Sequence, residues 1–147
     1  MKFDFNSSTF RAWLTPFLPL RNGPLRVEKI SGGQSNPTFR LAVSDQRIIL
    51  RAKPIGVTLQ SAHAVDREYR VLSALHKTEV PVPRPIALCD DASVLGSIFY
   101  LMEDIPGRIF WDPRLPGLSA TDRNQLFDSM NASIATLHTV NVERLYA

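Results

Sequence analysis

The stretch that most constrains the fold runs from residue 30 to residue 53 and predicts three consecutive strands joined by two turns. The first turn, residues 31–36, contains two adjacent glycines, and the second turn is Ser44-Asp45-Gln46. Between them, residues 39–43 alternate apolar with polar or small side chains, as a half-buried strand does. Because short turns join antiparallel neighbours, we expect an antiparallel sheet.

The third predicted strand brings two cations close to the glycine turn. Arg51 and Lys53 share one strand face with Ile49, because side chains alternate along a strand. Backbone N–H groups in the turn and cations on the following strand together suit a polyanion, and phosphate is the obvious candidate. A plain hairpin without a ligand is the alternative that these residues leave open.

Composition and charge argue against several classes of protein. The 147 residues carry a net charge of +3 without a basic run, so nucleic acid is not an implied partner. The single cysteine rules out a disulfide framework, and no Cys/His cluster suggests zinc. No apolar run approaches about 20 residues, and the N-terminus lacks the apolar core of a signal peptide. We therefore expect one cytoplasmic domain that does not bind a membrane.

Apolar periodicity and the positions of proline predict the remaining elements. A first helix is expected over residues 6–17, and a second over residues 61–76. Three strands are expected between them, over residues 25–30, 39–43 and 48–53, and two after them, over residues 86–89 and 97–103. A last helix begins near Ser119, after a loop. The final strand is nearly all apolar, so it should lie inside the sheet and be covered on both faces. This order indicates a small antiparallel sheet with one helix laid across it.

Glu68 lies on the apolar stripe of the second predicted helix. A carboxylate that faces a core needs a partner. One interpretation pairs it with Arg51 or Lys53 on the sheet. The other places Glu68 at the margin of the stripe, where it reaches water or Arg67.

Six short segments carry a family likeness. They read, in order, ISGGQSNPTFRL, IILRAKP, SAHAVDREYRVLSAL, VPVPRP, YLMEDIPGRIFWDP and the A-x-L-H of the last helix. This text resembles the amino-terminal lobe of kinase-like phosphotransferases, in particular the aminoglycoside phosphotransferase and choline kinase group. Within that group it is most similar to the branch associated with acyl-CoA dehydrogenases. The likeness spans roughly residues 25–142, and the order and spacing of the segments make it specific.

The resemblance implies an α+β fold, the protein-kinase-like N-terminal lobe. Such a lobe has a five-stranded antiparallel sheet with a covering helix, here with an added N-terminal helix and a C-terminal linker helix. The chain would then divide into a nucleotide-binding lobe (residues 1–103), a hinge and linker loop (104–118) and the first helix of a carboxy-terminal lobe (119–147).

The resemblance also implies a set of nucleotide-binding residues. The phosphate-covering turn would comprise Gly32, Gly33, Ser35 and Asn36, acting through its backbone N–H groups together with the side chain of Ser35 or Asn36. The phosphate-holding cation and its carboxylate partner would be Arg51, or Lys53 as a substitute, and Glu68. Arg51 stands where such enzymes usually have lysine, and arginine can grip phosphate through two hydrogen bonds. The residues expected around the base are Ile30, Phe39 and Ile49, with Met102, Glu103 and Ile105 at the hinge.

The implied function is the nucleotide-binding lobe of an ATP-dependent phosphotransferase that transfers the γ-phosphate to a small-molecule hydroxyl. In this group, H-G-D-x-x-x-x-N and I-D-W-like segments carry the catalytic aspartate and the Mg²⁺ ligands, and neither occurs here. No catalytic or metal-binding residue is therefore assigned, and the chain alone is expected to be inactive. The implied cofactors are ATP and Mg²⁺.

Two alternatives remain at this stage. One is a non-catalytic module that forms a homodimer, or binds a partner protein, through its exposed cleft surface. The other is a pseudokinase that has lost its grip on phosphate. The acceptor stays open among aminoglycosides, choline-like alcohols and hydroxyacyl thioesters, because the fold does not determine the substrate.

Overall fold

The computed structural model describes residues 2–30, 36–56 and 64–145. Its helices are α1 (Ser8–Leu14), α2 (Val65–Leu75), α3 (Ala120–His138) and α4 (Val142–Leu145), with a 3-10 turn at Leu20–Asn22. Its strands are β1 (Arg26–Ile30), β2 (Thr38–Val43), β3 (Gln46–Ala52), β4 (Pro85–Cys89) and β5 (Phe99–Glu103). The predicted order of elements is confirmed, and α4 is an addition. The third strand ends at Ala52, so Lys53 follows it directly.

The five strands form one antiparallel sheet in the order β1-β2-β3-β5-β4. The α+β fold predicted from the sequence is confirmed. β5 lies between β3 and β4, and its residues Phe99, Tyr100 and Leu101 are all buried. The apolar run therefore lies inside the sheet, as expected for a strand that is covered on both faces.

The strand register assigns side chains to the two faces of the sheet. Leu50 pairs with Phe39 on one side and Leu101 on the other, and these three lie on the face that packs against α1, which we call the α1 face. The neighbouring register position, Ile49, pairs with Arg40 and Met102. Because side chains alternate along each strand, that second row lies on the opposite face, which we call the α2 face.

The α1 face holds the hydrophobic core. Helix α1 is capped by Ser7, whose hydroxyl accepts a hydrogen bond from the Phe10 amide (3.2 Å). Phe10 and Leu14 are both fully buried against the sheet. Edge-to-face contacts with Phe99 add specific geometry to this apolar packing. The core thus lies between α1 and the sheet and leaves the α2 face available for polar side chains.

Helix α2 crosses the other face of the sheet. Val65, its first residue, is fully buried, and the Tyr69 ring lies 5.9 Å from the Tyr100 ring of β5. The predicted helix began at residue 61, and residues 61–63 lie outside the described part of the chain. The position of α2 brings Glu68, in its first turn, over the middle of the sheet.

Helix α3 follows the loop after β5. Ser119 caps it by accepting a hydrogen bond from the Asp122 amide (3.1 Å), as the sequence predicted. Much of its apolar surface faces solvent, since the side chains that are 44–50% exposed are Phe127, Met130, Ile134 and Leu137. Within the described ranges, no helix is long and apolar enough to cross a membrane.

Candidate functional site

An ion pair between β3 and α2 is the centre of the candidate site. Arg51 Nε donates to Glu68 Oε2 at 2.7 Å, and the two side chains are 27% and 35% exposed. Of the interpretations that the sequence left open, the pairing of Glu68 with a strand cation is the one that forms. Its partner is Arg51, and in the described part of the chain no carboxylate lies within ion-pair distance of Lys53.

Three further side chains hold this ion pair in place. Asn36 Nδ2 donates to Glu68 Oε1 at 2.8 Å, and the Tyr100 hydroxyl donates to Glu68 Oε2 at 3.2 Å. Arg51 Nη1 donates to the Thr38 hydroxyl at 3.1 Å. Both oxygens of the carboxylate and two nitrogens of the guanidinium are therefore fixed in one orientation.

The Asn36 side chain, which the sequence placed in the phosphate-covering turn, supports the helix carboxylate. It is 2% exposed, and its amide donates to Glu68. Its predicted contact with phosphate stays a prediction. The other predicted residues of the turn, Gly32, Gly33 and Ser35, lie outside the described residues.

Tyr100 is a hydrogen-bond donor of fixed protonation in this network. Burial raises the pKa of its hydroxyl well above the ordinary value, and the nearby Glu68 carboxylate raises it further. The phenol therefore stays neutral and donates to Glu68 at physiological pH. The sequence did not single out Tyr100, although a tyrosine in a nearly all-apolar central strand already needs a partner for its hydroxyl.

The residues predicted to surround a base do not all lie on one face of the sheet. Ile30, Ile49 and Met102 lie on the α2 face, the face of the Arg51–Glu68 pair. Phe39 lies on the α1 face, where its ring packs against Phe3 and Phe5 at 5.5 and 4.9 Å between centroids. The assignment of Phe39 to the site is therefore wrong, because the sheet separates it from the other candidates.

The Glu103 backbone at the hinge is bonded to the segment that precedes β4. The Glu103 amide donates to the Arg84 carbonyl at 3.0 Å, and the Glu103 carboxylate accepts from the Arg84 amide at 3.2 Å. The N–H group of Glu103 therefore already has an acceptor within the chain. Ile105 follows with a side chain that is 55% exposed.

A second polar cluster next to the hinge was not predicted. Asp104 follows β5 directly, and its side chain is only 6% exposed. Arg40 binds it through Nε (2.8 Å) and Nη2 (3.4 Å), and Arg47 lies 3.7 Å away. Glu28 accepts from Arg40 Nη1 at 3.0 Å. The hydrogen bonds that Arg40 donates to Asp104, and then to Glu28, raise its pKa, so the guanidinium remains charged.

An open pocket of about 610 Å³ adjoins the ion pair on the side of α2. It is lined by Arg51, Ala64, Arg67, Glu68, Val71, Leu72, Pro83, Tyr100 and Met102. Its walls are mainly apolar, with charge concentrated at the ion pair and Arg67. The site therefore combines a fixed cation, a concave surface and a hinge on one face of the sheet.

The comparison with known families decides where this arrangement belongs. The model of the phosphotransferase enzyme family matches residues 26–145, which is most of the chain and includes every strand of the sheet. The chain belongs to the phosphotransferase enzyme family. The expected family resemblance is thereby confirmed.

Members and relatives of the family match closely in sequence. Mouse acyl-CoA dehydrogenase family member 10 is 43% identical over 121 residues, which cover 82% of this chain and 11% of that protein. Human acyl-CoA dehydrogenase family member 11 is 40% identical over 145 residues, covering 96% of this chain and 19% of that protein. The Arabidopsis protein named "Probable acyl-CoA dehydrogenase IBR3" is 44% identical over 132 residues, 86% of this chain and 16% of its own length.

A solved structure supports the same assignment. The crystal structure of a "putative aminoglycoside phosphotransferase" from Ralstonia eutropha is 43% identical and superposes with a TM-score of 0.76. The superposition covers 98% of this chain and 40% of that one. The fold is therefore that of the kinase-like N-terminal lobe of this phosphotransferase family. The chain spans less than half of the solved relative and less than a fifth of the three curated relatives.

Proposed function

We propose that this chain is the nucleotide-binding lobe of a phosphotransferase that moves the γ-phosphate of ATP to the hydroxyl of a small molecule. The observation that carries the proposal is the Arg51–Glu68 ion pair on the α2 face, fixed by Asn36, Thr38 and Tyr100. A cation held this rigidly beside a pocket costs little further ordering when it meets an anion. Membership of the phosphotransferase family makes phosphate the expected anion.

Arg51 would hold the nucleotide phosphates, and Glu68 would hold Arg51. Because Nε is bonded to Glu68 and Nη1 to Thr38, the guanidinium keeps one orientation on the sheet. A guanidinium fixed in this way offers charge-assisted hydrogen bonds of defined direction to phosphate oxygens. Electrostatic stabilisation and positioning of this kind account for most of the catalysis in phosphoryl transfer.

The rest of the chemistry would come from parts of the protein outside this chain. Among the described residues, no group of three or more His, Cys, Asp or Glu side chains is placed to hold a metal ion. Mg²⁺ neutralises charge on the β- and γ-phosphates in enzymes of this kind. We assign its protein ligands, the base that accepts the proton of the acceptor hydroxyl and most of the acceptor site to a second lobe. The greater length of the relatives supports this assignment.

Isothermal titration with Mg-ATP, which compares the affinity of the wild-type chain with that of Arg51→Ala, tests the proposal. We expect this variant to lose about ten-fold or more in affinity, since a hydrogen bond between charged groups contributes about 1.5–3 kcal/mol. Arg26→Ala is the matched control, because Arg26 lies on the same face and its guanidinium, among the residues that the structure describes, donates to the Ser44 carbonyl near the far turn. Unchanged affinity in Arg51→Ala would remove Arg51 from the site and favour the pseudokinase alternative.

One observation favours a second candidate function. The exposed apolar face of α3 (Phe127, Met130, Ile134 and Leu137) is typical of a surface that packs against protein. As an alternative, we propose a non-catalytic module that forms a homodimer through this face. Sedimentation analysis distinguishes the two candidate functions. Only the dimer module predicts that the molecular mass doubles as the protein concentration rises. In that case Ile134→Ser should restore the mass of the monomer.

A further inference from the structure

We propose that the guanidinium of Arg40 is the platform on which the nucleotide base stacks. This inference rests on the proposed nucleotide-binding function and adds to it the residue that contacts the base. It replaces Phe39, which the sheet separates from the site.

Arg40 lies in the row of side chains that leads across the sheet to the hinge. It pairs directly with Ile49 on β3, and Ile49 pairs with Met102 on β5. All three are on the α2 face, two residues along the strands from the row that contains Arg51. A nucleotide whose phosphates reach Arg51 and whose base reaches the hinge would have to pass over this row.

Exposure decides which of these residues a ligand meets. Ile49 is only 5% exposed, so neighbouring side chains already cover it. The Arg40 side chain is 33% exposed, and Met102 is partly exposed. A flat ring that enters against this row therefore contacts Arg40 and Met102, which are more exposed than Ile49.

The bonding of Arg40 leaves its flat surface as the part that can bind a ring. Nε and Nη2 are bonded to Asp104, and Nη1 is bonded to Glu28, so all three nitrogens already have acceptors in the plane of the group. A planar guanidinium bonded along its edges stacks well on aromatic faces, because the ring does not compete for its hydrogen bonds. Asp104 is the residue between Glu103 and Ile105, so the same carboxylate fixes the platform to the hinge.

A platform of this kind predicts a definite ligand preference. Stacking depends on the area and polarisability of the ring and not on its hydrogen-bonding edge. We therefore expect ATP and GTP to bind with similar affinity, and both to bind more tightly than CTP. Tripolyphosphate has no base, so its binding should be independent of Arg40.

The test is a set of titrations of the 147-residue chain with the magnesium complexes of ATP, GTP, CTP and tripolyphosphate. Arg40→Ala and Arg40→Lys should each lose about ten-fold in ATP affinity and keep the wild-type affinity for tripolyphosphate. Arg26→Ala, which removes the same charge from the same face, should match the wild type for every ligand. Retained ATP affinity in Arg40→Lys would overturn the proposal, because charge alone would then explain the effect.

Two further outcomes separate this inference from the proposed function. If the wild-type chain binds neither ATP nor tripolyphosphate, the nucleotide-binding function itself fails. If it binds both and Arg40→Ala weakens both equally, or neither, the stacking role fails while the phosphate site stands. The proton resonance of Arg40 Nε–H distinguishes stacking from a purely structural role. If Arg40 is only structural, ATP and tripolyphosphate should affect this resonance in the same way. Stacking predicts an upfield ring-current shift with ATP that tripolyphosphate does not produce.

Discussion

At the scale of single residues, the candidate site is centred on a carboxylate with three hydrogen-bond donors. Glu68 accepts from Asn36, Arg51 and Tyr100, so one cation balances its charge and two neutral donors fix its orientation. An arginine suits this position, because it reaches Glu68 and Thr38 at the same time through different nitrogens. A lysine would present a single point charge to both, without the planar fork.

The Tyr100 hydroxyl should make the free energy of unfolding depend on pH in the alkaline range. Burial raises the pKa of its hydroxyl in the folded chain above the unfolded value of about 10. The contribution of the neutral Tyr100 hydroxyl to the stability of the fold is therefore complete below a pH of about 10, and it is lost as the pH rises through the folded pKa. We expect the free energy of unfolding, measured by urea denaturation, to fall less from about pH 9 to about pH 11 in Tyr100→Phe than in the wild type.

Tyr69→Phe is the control for this measurement. Tyr69 packs against the Tyr100 ring, but in the described structure its hydroxyl makes no bond to Glu68. The alkaline loss of stability in Tyr69→Phe should therefore follow that of the wild type. An identical alkaline curve for Tyr100→Phe and the wild type would show that the Tyr100 phenol ionises as readily folded as unfolded.

At the scale of elements, two amphipathic helices have opposite environments. Both α1 and α3 carry apolar residues at helical spacing and a serine N-cap. The apolar residues of α1 are buried against the sheet, and those of α3 face solvent. Periodicity therefore identifies the apolar face of a helix but not whether another element covers that face.

Two alanine substitutions measure this difference. Leu14→Ala in α1 should lower the free energy of unfolding by about 2–5 kcal/mol, because it leaves a cavity in the core. Ile134→Ala in α3 should change it by less than about 0.5 kcal/mol, because that side chain is already half exposed. Urea denaturation monitored by circular dichroism gives both values. A large effect of Ile134→Ala that grows with protein concentration would instead support the dimer module.

At the scale of the whole molecule, one face of the sheet is used for stability and the other for the site. The α1 face contains the core cluster from Phe10 to Leu101. The α2 face contains both the Arg51–Glu68 pair and the Arg40–Asp104 pair. Each polar cluster is connected within itself, and no buried side-chain N or O atom among the described residues lacks a hydrogen-bond partner.

The proposed division of labour between two lobes predicts that this chain does not transfer phosphate. It presents the Arg51–Glu68 ion pair on the α2 face, but no described group of side chains is placed to hold Mg²⁺. Incubation with radiolabelled Mg-ATP and a panel of hydroxylated acceptors should give no product above the rate in buffer. ADP release by the wild type that is lost in Arg51→Ala would show that the chain carries its own catalytic groups.

Much of the fold was determined by the sequence alone. Alternating and periodic apolar residues are local signals, and they predicted the five strands, α1, α2 and the start of α3. Glu68 on an apolar stripe required a partner, and the strand cation Arg51 is that partner. These predictions succeeded because each depends on neighbours in the chain or on the cost of burying a charge.

Only the tertiary structure decided which residues meet across the sheet. Alternation shows that Phe39 and Arg40 lie on opposite faces, but only the packing of α1 shows that the face of Phe39 is the core. Arg40 and Asp104 are 64 residues apart in the chain, and no local pattern connects them. They meet because the antiparallel order places β3 between β2 and β5, so a long arginine can cross one strand to reach the hinge.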